Sequence, residues 1–96
     1  MLLYMSDLRL MIVTYYVYVL LCRDGSYYTG YTHDLNNRLK QHLNGKGSRY
    51  TRMNKPEKIV HTELFGSRSE AMKREREIKR LTRKQKALLT DDRNLG

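Results

Sequence analysis

The sequence predicts an α+β domain in which a three-stranded antiparallel sheet is flanked by helices, in the chain order β-β-α-β-α-α. Two early runs are rich in aromatic and β-branched residues and are joined by an Asp-Gly pair, the strongest short hairpin signal. Later in the chain, two Ser/Thr-x-x-Glu/Gln patterns each precede a run suited to a helix. The 96 residues are enough for one domain with a single modest core. We expect the domain to span residues 14–90, between an N-terminal extension (1–13) and a frayed C-terminal tail (91–96).

The strands come from three runs of the sequence. "TYYVYVLLC", Thr14–Cys22, predicts the first strand, "RDGS" predicts the turn, and "YYTGYT", Tyr27–Thr32, predicts the returning strand. "KIVHTELF", Lys58–Phe65, alternates well enough for a third. A glycine inside a strand usually marks a bulge or a close approach, so Gly30 raises the question of which group lies near it.

The helices are predicted from their first residues. Asp34 is suited to an N-cap, and Gly45 is suited to end the helix that follows. The apolar stripe of that helix is expected at Leu35, Leu39 and Leu43. Ser67 and Thr82 begin capping-box patterns, which predict a helix to about Arg80 and a short last helix.

The charge of the chain points to a polyanionic partner. Lys and Arg number 19 against 10 Asp and Glu, a net charge of +9. The basic residues concentrate in a predicted loop, Gly45–Pro56, and in the run Lys73–Lys86, which has eight Lys/Arg and two Glu. Such a run is usually a solvated helix face, but contact with a phosphate backbone is equally consistent with it. The residues expected to bind nucleic acid are Lys46, Arg49, Arg52, Lys55, Arg80 and Arg83.

A single cysteine excludes an internal disulfide framework and fits a reducing compartment. Cys22 falls in an apolar strand, which predicts a buried structural thiol. The apolar N-terminal stretch lacks the features of a signal peptide and is too short to span a membrane. We therefore expect a cytoplasmic protein without a membrane partner.

Three residues stand out as candidates for chemistry. Arg38 and His42 are one helical turn apart, at the edge of the leucine stripe, where they could line a cleft or simply cover the core. Glu75 projects into the apolar arc of its helix with Ala71 and Ile78. A carboxylate there needs an arginine or a cation as its partner, so a buried salt bridge and a metal site both remain open.

These residues complete a pattern that resembles the GIY-YIG nuclease superfamily. The pattern consists of "YVY" at Tyr16–Tyr18, "YTG" at Tyr28–Gly30, then Arg38, His42 and Glu75. The segments "DGSYYTGYTHDLNNRLKQHLNGKGSRYTR" and "SRSEAMKREREIKRLTRKQKALL" resemble its small stand-alone, UPF0213-like branch. The glycine of the first family triplet is replaced here by Tyr16.

The resemblance implies a divalent-metal-dependent endonuclease that hydrolyses DNA phosphodiester bonds. Because a single small domain offers little surface for base readout, we expect low sequence specificity. Glu75 would hold Mg²⁺ or Mn²⁺, and Arg38 would neutralise charge on the phosphoryl oxygens. Tyr18 or Tyr28 would take a proton from the attacking water, and His42 would orient that phenol or relay the proton. RNA as substrate, selectivity for DNA structure and the oligomeric state are left open. The alternative is a non-catalytic nucleic-acid-binding module on the same fold.

The same resemblance suggests which group lies near Gly30, the glycine of the second triplet. The tyrosines of adjacent strands would face one cleft, and Gly30 would let backbone and substrate pass closely.

Overall fold

The computed structural model describes residues 14–90, so the predicted extension and tail lie outside the described residues. The elements in chain order are β1 Tyr15–Cys22, β2 Tyr27–Thr32, α1 Leu35–Leu43, α2 Arg49–Met53, β3 Pro56–Phe65, α3 Arg68–Lys79 and α4 Arg83–Leu89. The predicted fold class and element order are confirmed, with one helix added.

The added helix, α2, corrects the prediction of an uninterrupted loop from Gly45 to Pro56. The side chain of Ser48 caps α2 by accepting a hydrogen bond from the backbone N–H of Thr51. The helix has only five residues, too few for a periodic apolar pattern to stand out in the sequence. It forms here because the buried Thr51 side chain holds it against α1.

The sheet has the strand order β2-β1-β3, and both pairings are antiparallel. The central strand β1 carries four consecutive buried residues, Val17 to Leu20, because its two faces are both covered. In the β1–β2 register, Tyr18 lies directly opposite Gly30.

Alternation along β1 sends neighbouring side chains to opposite faces of the sheet. On one face Val17 and Val19 pack with Ala71 and Ile78 of α3 to form the core cluster. Several half-buried residues surround that cluster, among them Tyr15, Tyr27, Tyr31, Phe65 and Leu81. The opposite face carries Tyr18, whose hydroxyl meets α1. The sheet therefore separates an apolar core from a polar assembly.

The N-caps predicted from the sequence form, and the reciprocal capping box forms at one of its two predicted positions. Asp34 accepts a hydrogen bond from the Asn37 backbone N–H, and Ser67 accepts one from the Glu70 backbone N–H. At α4, Thr82 and Gln85 form a reciprocal capping box. These local contacts set where α1, α3 and α4 begin.

The predicted leucine stripe of α1 is wrong at its C-terminal end. Leu43 is 64% exposed, whereas His42 is only 1% exposed. A buried imidazole is tolerated when both ring nitrogens have partners, and the contacts of His42 described below meet that condition. A polar side chain therefore takes the buried position that the periodicity assigned to leucine.

Cys22 is a free, buried thiol, as predicted, and burial raises its pKa. Among residues 14–90, no helix has the length and apolar character needed to cross a membrane.

Candidate active site

Two tyrosines and a histidine meet on the α1 side of the sheet. The rings of Tyr18 and Tyr28 have centroids 6.3 Å apart. The His42 ring lies 5.8 Å from that of Tyr18 and 5.1 Å from that of Tyr28. Strand register brings the two phenols together across β1 and β2, and α1 brings the imidazole to both.

A chain of hydrogen bonds runs through His42. Its Nε2 lies 2.8 Å from the hydroxyl of Tyr18, and its Nδ1 lies 2.7 Å from Oγ1 of Thr51. The Thr51 hydroxyl in turn donates to the carbonyl oxygen of Ser48 at 3.2 Å. Tyr18, His42 and Thr51 are each only 1% exposed.

These contacts favour one tautomer of His42. When Thr51 donates its proton to Ser48, it accepts from Nδ1–H, and the bare Nε2 then accepts from the Tyr18 hydroxyl. The opposite tautomer would leave the Tyr18 proton facing Arg38, which has no acceptor. We therefore assign the proton to Nδ1, an assignment that rests on the hydrogen-bond network.

Burial perturbs both titratable groups at the centre of this chain. Desolvation, reinforced by the charge of Arg38, lowers the pKa of His42 from 6.5 to about 4. Desolvation also raises the pKa of Tyr18 to about 12, although nearby Arg38 acts in the opposite direction. At neutral pH His42 is therefore uncharged and Tyr18 is a protonated hydrogen-bond donor.

Tyr28 is the more accessible of the two phenols. It is half-buried, and its ring stacks on that of Tyr50 with centroids 6.0 Å apart and an interplanar angle of 26°. Tyr50 belongs to α2 and is 38% exposed. The Tyr28–Tyr50 pair thus forms an aromatic border between the buried histidine and solvent.

Arg38 is half-buried beside the two phenols. Its Nη1 donates to Oε1 of Gln41 at 2.9 Å, which orients the guanidinium from within α1. Its pKa is raised, first by the proximity of Tyr18 and also by Tyr28. Arg38 and His42, predicted to share a site because they are one helical turn apart, do lie together. His42 is the buried residue of the two, and Arg38 provides the positive charge.

The group close to Gly30 is the side chain of Tyr18, not a substrate. A Cβ atom added at Gly30 would lie 2.5 Å from the Tyr18 hydroxyl oxygen and 3.1 Å from Cε2 of Tyr28. This corrects the expectation that Gly30 leaves room for substrate. Its missing side chain leaves room for the phenol on the opposite strand.

Glu75 lies on α3, outside the mutual contacts of the other four candidates. Its side chain is 17% exposed, and its partner is the Lys79 ammonium at 3.5 Å. Its negative charge is near enough to contribute to the raised pKa of Tyr18. Glu63 on β3 is held more firmly, because Arg74 donates two hydrogen bonds of 2.8 and 3.0 Å to its carboxylate. The carboxylate of Glu75 is thus much less constrained than that of Glu63.

Within the described residues, Glu75 does not belong to a cluster of metal-binding side chains. Within residues 14–90, no three His, Cys, Asp or Glu side chains lie together in a group that could hold a metal ion. A cation at Glu75 would have to complete its shell with water and substrate oxygens, which suits Mg²⁺. The partly buried, loosely paired carboxylate fits such a single-ligand role.

The residues expected to bind nucleic acid are all exposed and fall into two groups. Lys46, Arg49, Arg52 and Lys55 lie on and around α2, the helix that carries Tyr50 and Thr51. Arg80 follows α3 and Arg83 is the first residue of α4, where its Cζ lies 5.9 Å from the Tyr27 ring centroid. The first group borders the tyrosine–histidine assembly, and the second lies beside the β1–β2 hairpin.

Sequence reasoning missed three residues that shape this site: Thr51, Tyr50 and Gly47. A Cβ atom at Gly47 would overlap the His42 ring, so the segment before α2 passes directly over the imidazole. The two closely spaced glycines of "GKGS" were the available signal, since glycine often marks a close approach of backbone to another group.

Comparison with known proteins agrees with this architecture. The family model of the GIY-YIG catalytic domain matches residues 14–87. A UPF0213 protein of Staphylococcus saprophyticus is 44% identical over 81% of this chain and 95% of its own length. A UPF0213 protein of Halobacterium salinarum is 52% identical over 78% of this chain and 97% of its own.

Two solution NMR structures are also similar. A UPF0213 protein from Bacillus halodurans is 50% identical, covers 79% of this chain and 81% of its own, and has a TM-score of 0.52. A protein from E. faecalis is 46% identical, covers 86% and 88%, and has a TM-score of 0.58. The chain belongs to the GIY-YIG nuclease superfamily, within the small single-domain group named UPF0213.

Proposed function

We propose that this protein is a divalent-metal-dependent endonuclease that hydrolyses DNA phosphodiester bonds with low sequence specificity. The observation that carries the proposal is the convergence of Arg38, Tyr28, Tyr18 and His42 at one place on the sheet. Phosphoryl transfer depends on positioning and on stabilising developing negative charge. A guanidinium beside two oriented phenols supplies both, and membership of a nuclease superfamily supports this chemistry.

In this proposal the two tyrosines have different roles. Tyr28 borders solvent and lies beside the guanidinium of Arg38, so it is the residue proposed to act, as its phenolate, as the base that takes the proton of the attacking water. Tyr18 keeps its own proton, because burial makes its phenolate costly. His42, neutral and held by Thr51, fixes Tyr18 by accepting that proton in a hydrogen bond. The histidine orients a phenol here and does not relay a proton.

Arg38 contacts the non-bridging oxygens of the scissile phosphate. Its planar donor fork matches those oxygens better than a lysine ammonium would. The contact with Gln41 limits the rotation of the guanidinium, so less side-chain entropy is lost when substrate binds.

Glu75 is the residue proposed to hold Mg²⁺ or Mn²⁺, with water and phosphate oxygens as the remaining ligands. When bound, the ion supplies Lewis-acid polarisation of the phosphate and stabilises the departing oxygen. Lys79 is 52% exposed, so its ammonium can turn into solvent and release the carboxylate.

A cleavage assay tests the proposal directly. Labelled single-stranded, duplex, flapped and branched DNA would each be incubated with the protein in Mg²⁺, Mn²⁺ or EDTA. We expect strand cleavage that requires either metal and stops in EDTA. Binding without cleavage of any substrate would instead identify a non-catalytic nucleic-acid-binding module.

Glu75→Gln should abolish cleavage and leave DNA affinity in EDTA within about twofold of wild type. The substitution keeps the shape of the side chain but removes the charge that would hold the ion. Cleavage rate, melting temperature and affinity would be measured together.

The matched control is Glu70→Gln, which removes one carboxylate from the exposed first turn of the same helix. It should cleave at the wild-type rate. If Glu75→Gln loses melting temperature and keeps its activity, Glu75 is a structural partner of Lys79 and not a metal ligand.

A further inference from the structure

A polar pocket lies beside the tyrosine–histidine assembly and is not used by the chemistry proposed above. It has a volume of about 660 Å³, within the usual range for small-molecule sites. Its walls come from the start of β1, the end of β2, the first two turns of α1 and the start of α3. Of the residues proposed for catalysis, only Arg38 lines it.

One wall is a face of α1 that presents amide groups. Asn37 and Gln41 are four residues apart and Arg38 is three before Gln41, so the three share one side of the helix. All three line the pocket. Side-chain amides carry a donor and an acceptor side by side, the arrangement that pairs with the edge of a nucleobase.

Other lining residues combine an aromatic surface with a second cation. Tyr15 and Tyr31 line the pocket, and Arg68 lies over the Tyr31 ring with its Cζ 5.9 Å from the centroid. The Arg68 Nε also donates to the Tyr31 hydroxyl at 3.1 Å. Only one of its five N–H donors is used in that bond, so the others are available to a phosphate.

The charge balance favours an anionic occupant. Two guanidiniums line the pocket against one carboxylate, that of Asp34. The carboxylate is engaged in capping α1 through the Asn37 backbone N–H. Aromatic rings, amides and guanidiniums together match a base, its edge and its phosphate, which are the parts of a nucleotide.

We propose that this pocket binds one unpaired nucleotide of the substrate strand, immediately next to the phosphate contacted by Arg38. The position follows because Arg38 borders both the pocket and the phenols, so the placing of this nucleotide rests on the proposed function. The nucleotide must be unpaired, since a base that is stacked and paired in a duplex cannot enter a pocket bounded by α1 and α3. The pocket therefore gives the protein a preference for single-stranded or frayed DNA.

The test measures binding in EDTA, so that cleavage does not interfere. Fluorescence anisotropy would follow a labelled single strand and, separately, a blunt duplex of the same length, which has no unpaired loop. The variants are Asn37→Ala and Arg68→Gln. Their matched controls are Asn36→Ala on α1 and Arg76→Gln on α3, which are exposed and do not line the pocket.

We expect each pocket variant to weaken binding of the single strand by about threefold to tenfold, the effect of one lost hydrogen bond. Binding of the duplex should change by less than about twofold, and the controls should match wild type on both probes. Equal weakening on both probes would mean that these residues only contact the backbone, and unchanged binding would mean that the pocket is not used. Either result overturns the inference.

The two proposals fail separately. If no DNA is cleaved in any metal but single-strand affinity still depends on Asn37 and Arg68, the pocket is a binding site and the nuclease proposal is wrong. If DNA is cleaved and the pocket variants behave like their controls, the nuclease proposal stands and the pocket inference is wrong.

Discussion

His42 is the residue on which the geometry of the site depends. Its two ring nitrogens reach different elements, Tyr18 of β1 and Thr51 of α2. The contact with Thr51 sets the tautomer, and the tautomer makes Tyr18 a donor. Thr51 is thus a positioning residue, acting through His42 without meeting substrate.

Thr51→Val should destabilise the protein and slow cleavage, whereas Thr51→Ser should restore most of both. Valine keeps the volume but removes the acceptor for Nδ1–H, and a buried donor without a partner costs about 1–3 kcal/mol. Thermal melts and single-turnover cleavage rates would measure the two effects. If valine and serine behave alike, the hydroxyl of Thr51 does not hold His42.

The dependence of stability on pH tests the burial of His42 itself. The pKa of His42 is lowered on folding from 6.5 to about 4, so the unfolded chain binds the extra proton first as pH falls. The stability contributed by neutral His42 is complete above pH 6.5 and is lost between about 6.5 and 4. Wild type should therefore lose melting temperature from pH 6.5 to 5, and His42→Gln should lose less over the same interval.

At the scale of elements, the register of the β1–β2 hairpin determines which side chains lie opposite one another. The Asp-Gly turn pairs Tyr18 with Gly30, and the absent Cβ lets the phenol of one strand lie across the other. A shift of one residue would turn Tyr18 to the core face. The strand pairing, more than the helices, therefore determines that the two phenols meet.

Gly30→Ala should lower the melting temperature and impair cleavage, because the new Cβ would collide with the buried Tyr18 ring. Overpacking of this kind costs about 1–3 kcal/mol. Gly66→Ala is the control, since a Cβ there meets nothing within 4 Å and the backbone has no positive φ. Equal melting of the two variants would show that Tyr18 does not need the space above Gly30.

At the scale of the whole molecule, the chain has a net charge of +9, and the basic residues expected to bind nucleic acid form two exposed groups. One surrounds α2 beside the tyrosines, and the other lies where α3 ends and α4 begins, beside the hairpin. Exposed lysines and arginines of this kind suit contact with the phosphate backbone, which supplies affinity with little reading of base sequence.

DNA affinity should fall steeply with salt, with a slope in log K against log salt of about −0.7 to −0.9 for each phosphate contact. Replacing Arg49 and Arg52 together by Gln should make that slope shallower by about two contacts. Lys58→Gln, an exposed lysine on β3, should leave it unchanged. An affinity that barely changes between low and physiological salt would contradict electrostatic binding.

The sequence by itself determined what depends on neighbours along the chain. The hairpin follows from Asp-Gly and β-branched runs, and the helix starts follow from Asp34, Ser67 and Thr82, whose side chains cap the next turn. The pattern of "YTG", Arg38, His42 and Glu75 was also enough to indicate the GIY-YIG superfamily.

Tertiary structure alone decided which of these residues are buried and what they touch. Helical periodicity selected Leu43 for the core, but His42 lies there because Tyr18 and Thr51, 24 positions before and 9 after it, satisfy its two nitrogens. Three other features also depend on contacts between distant segments. They are the Tyr18 side chain next to Gly30, the stacking of Tyr50 on Tyr28, and the pocket lined by residues of α1 and α3. A sequence pattern records the period of one element, whereas burial and hydrogen bonding depend on which elements pack together. That packing separates the protonated phenol of Tyr18 from the accessible phenol of Tyr28.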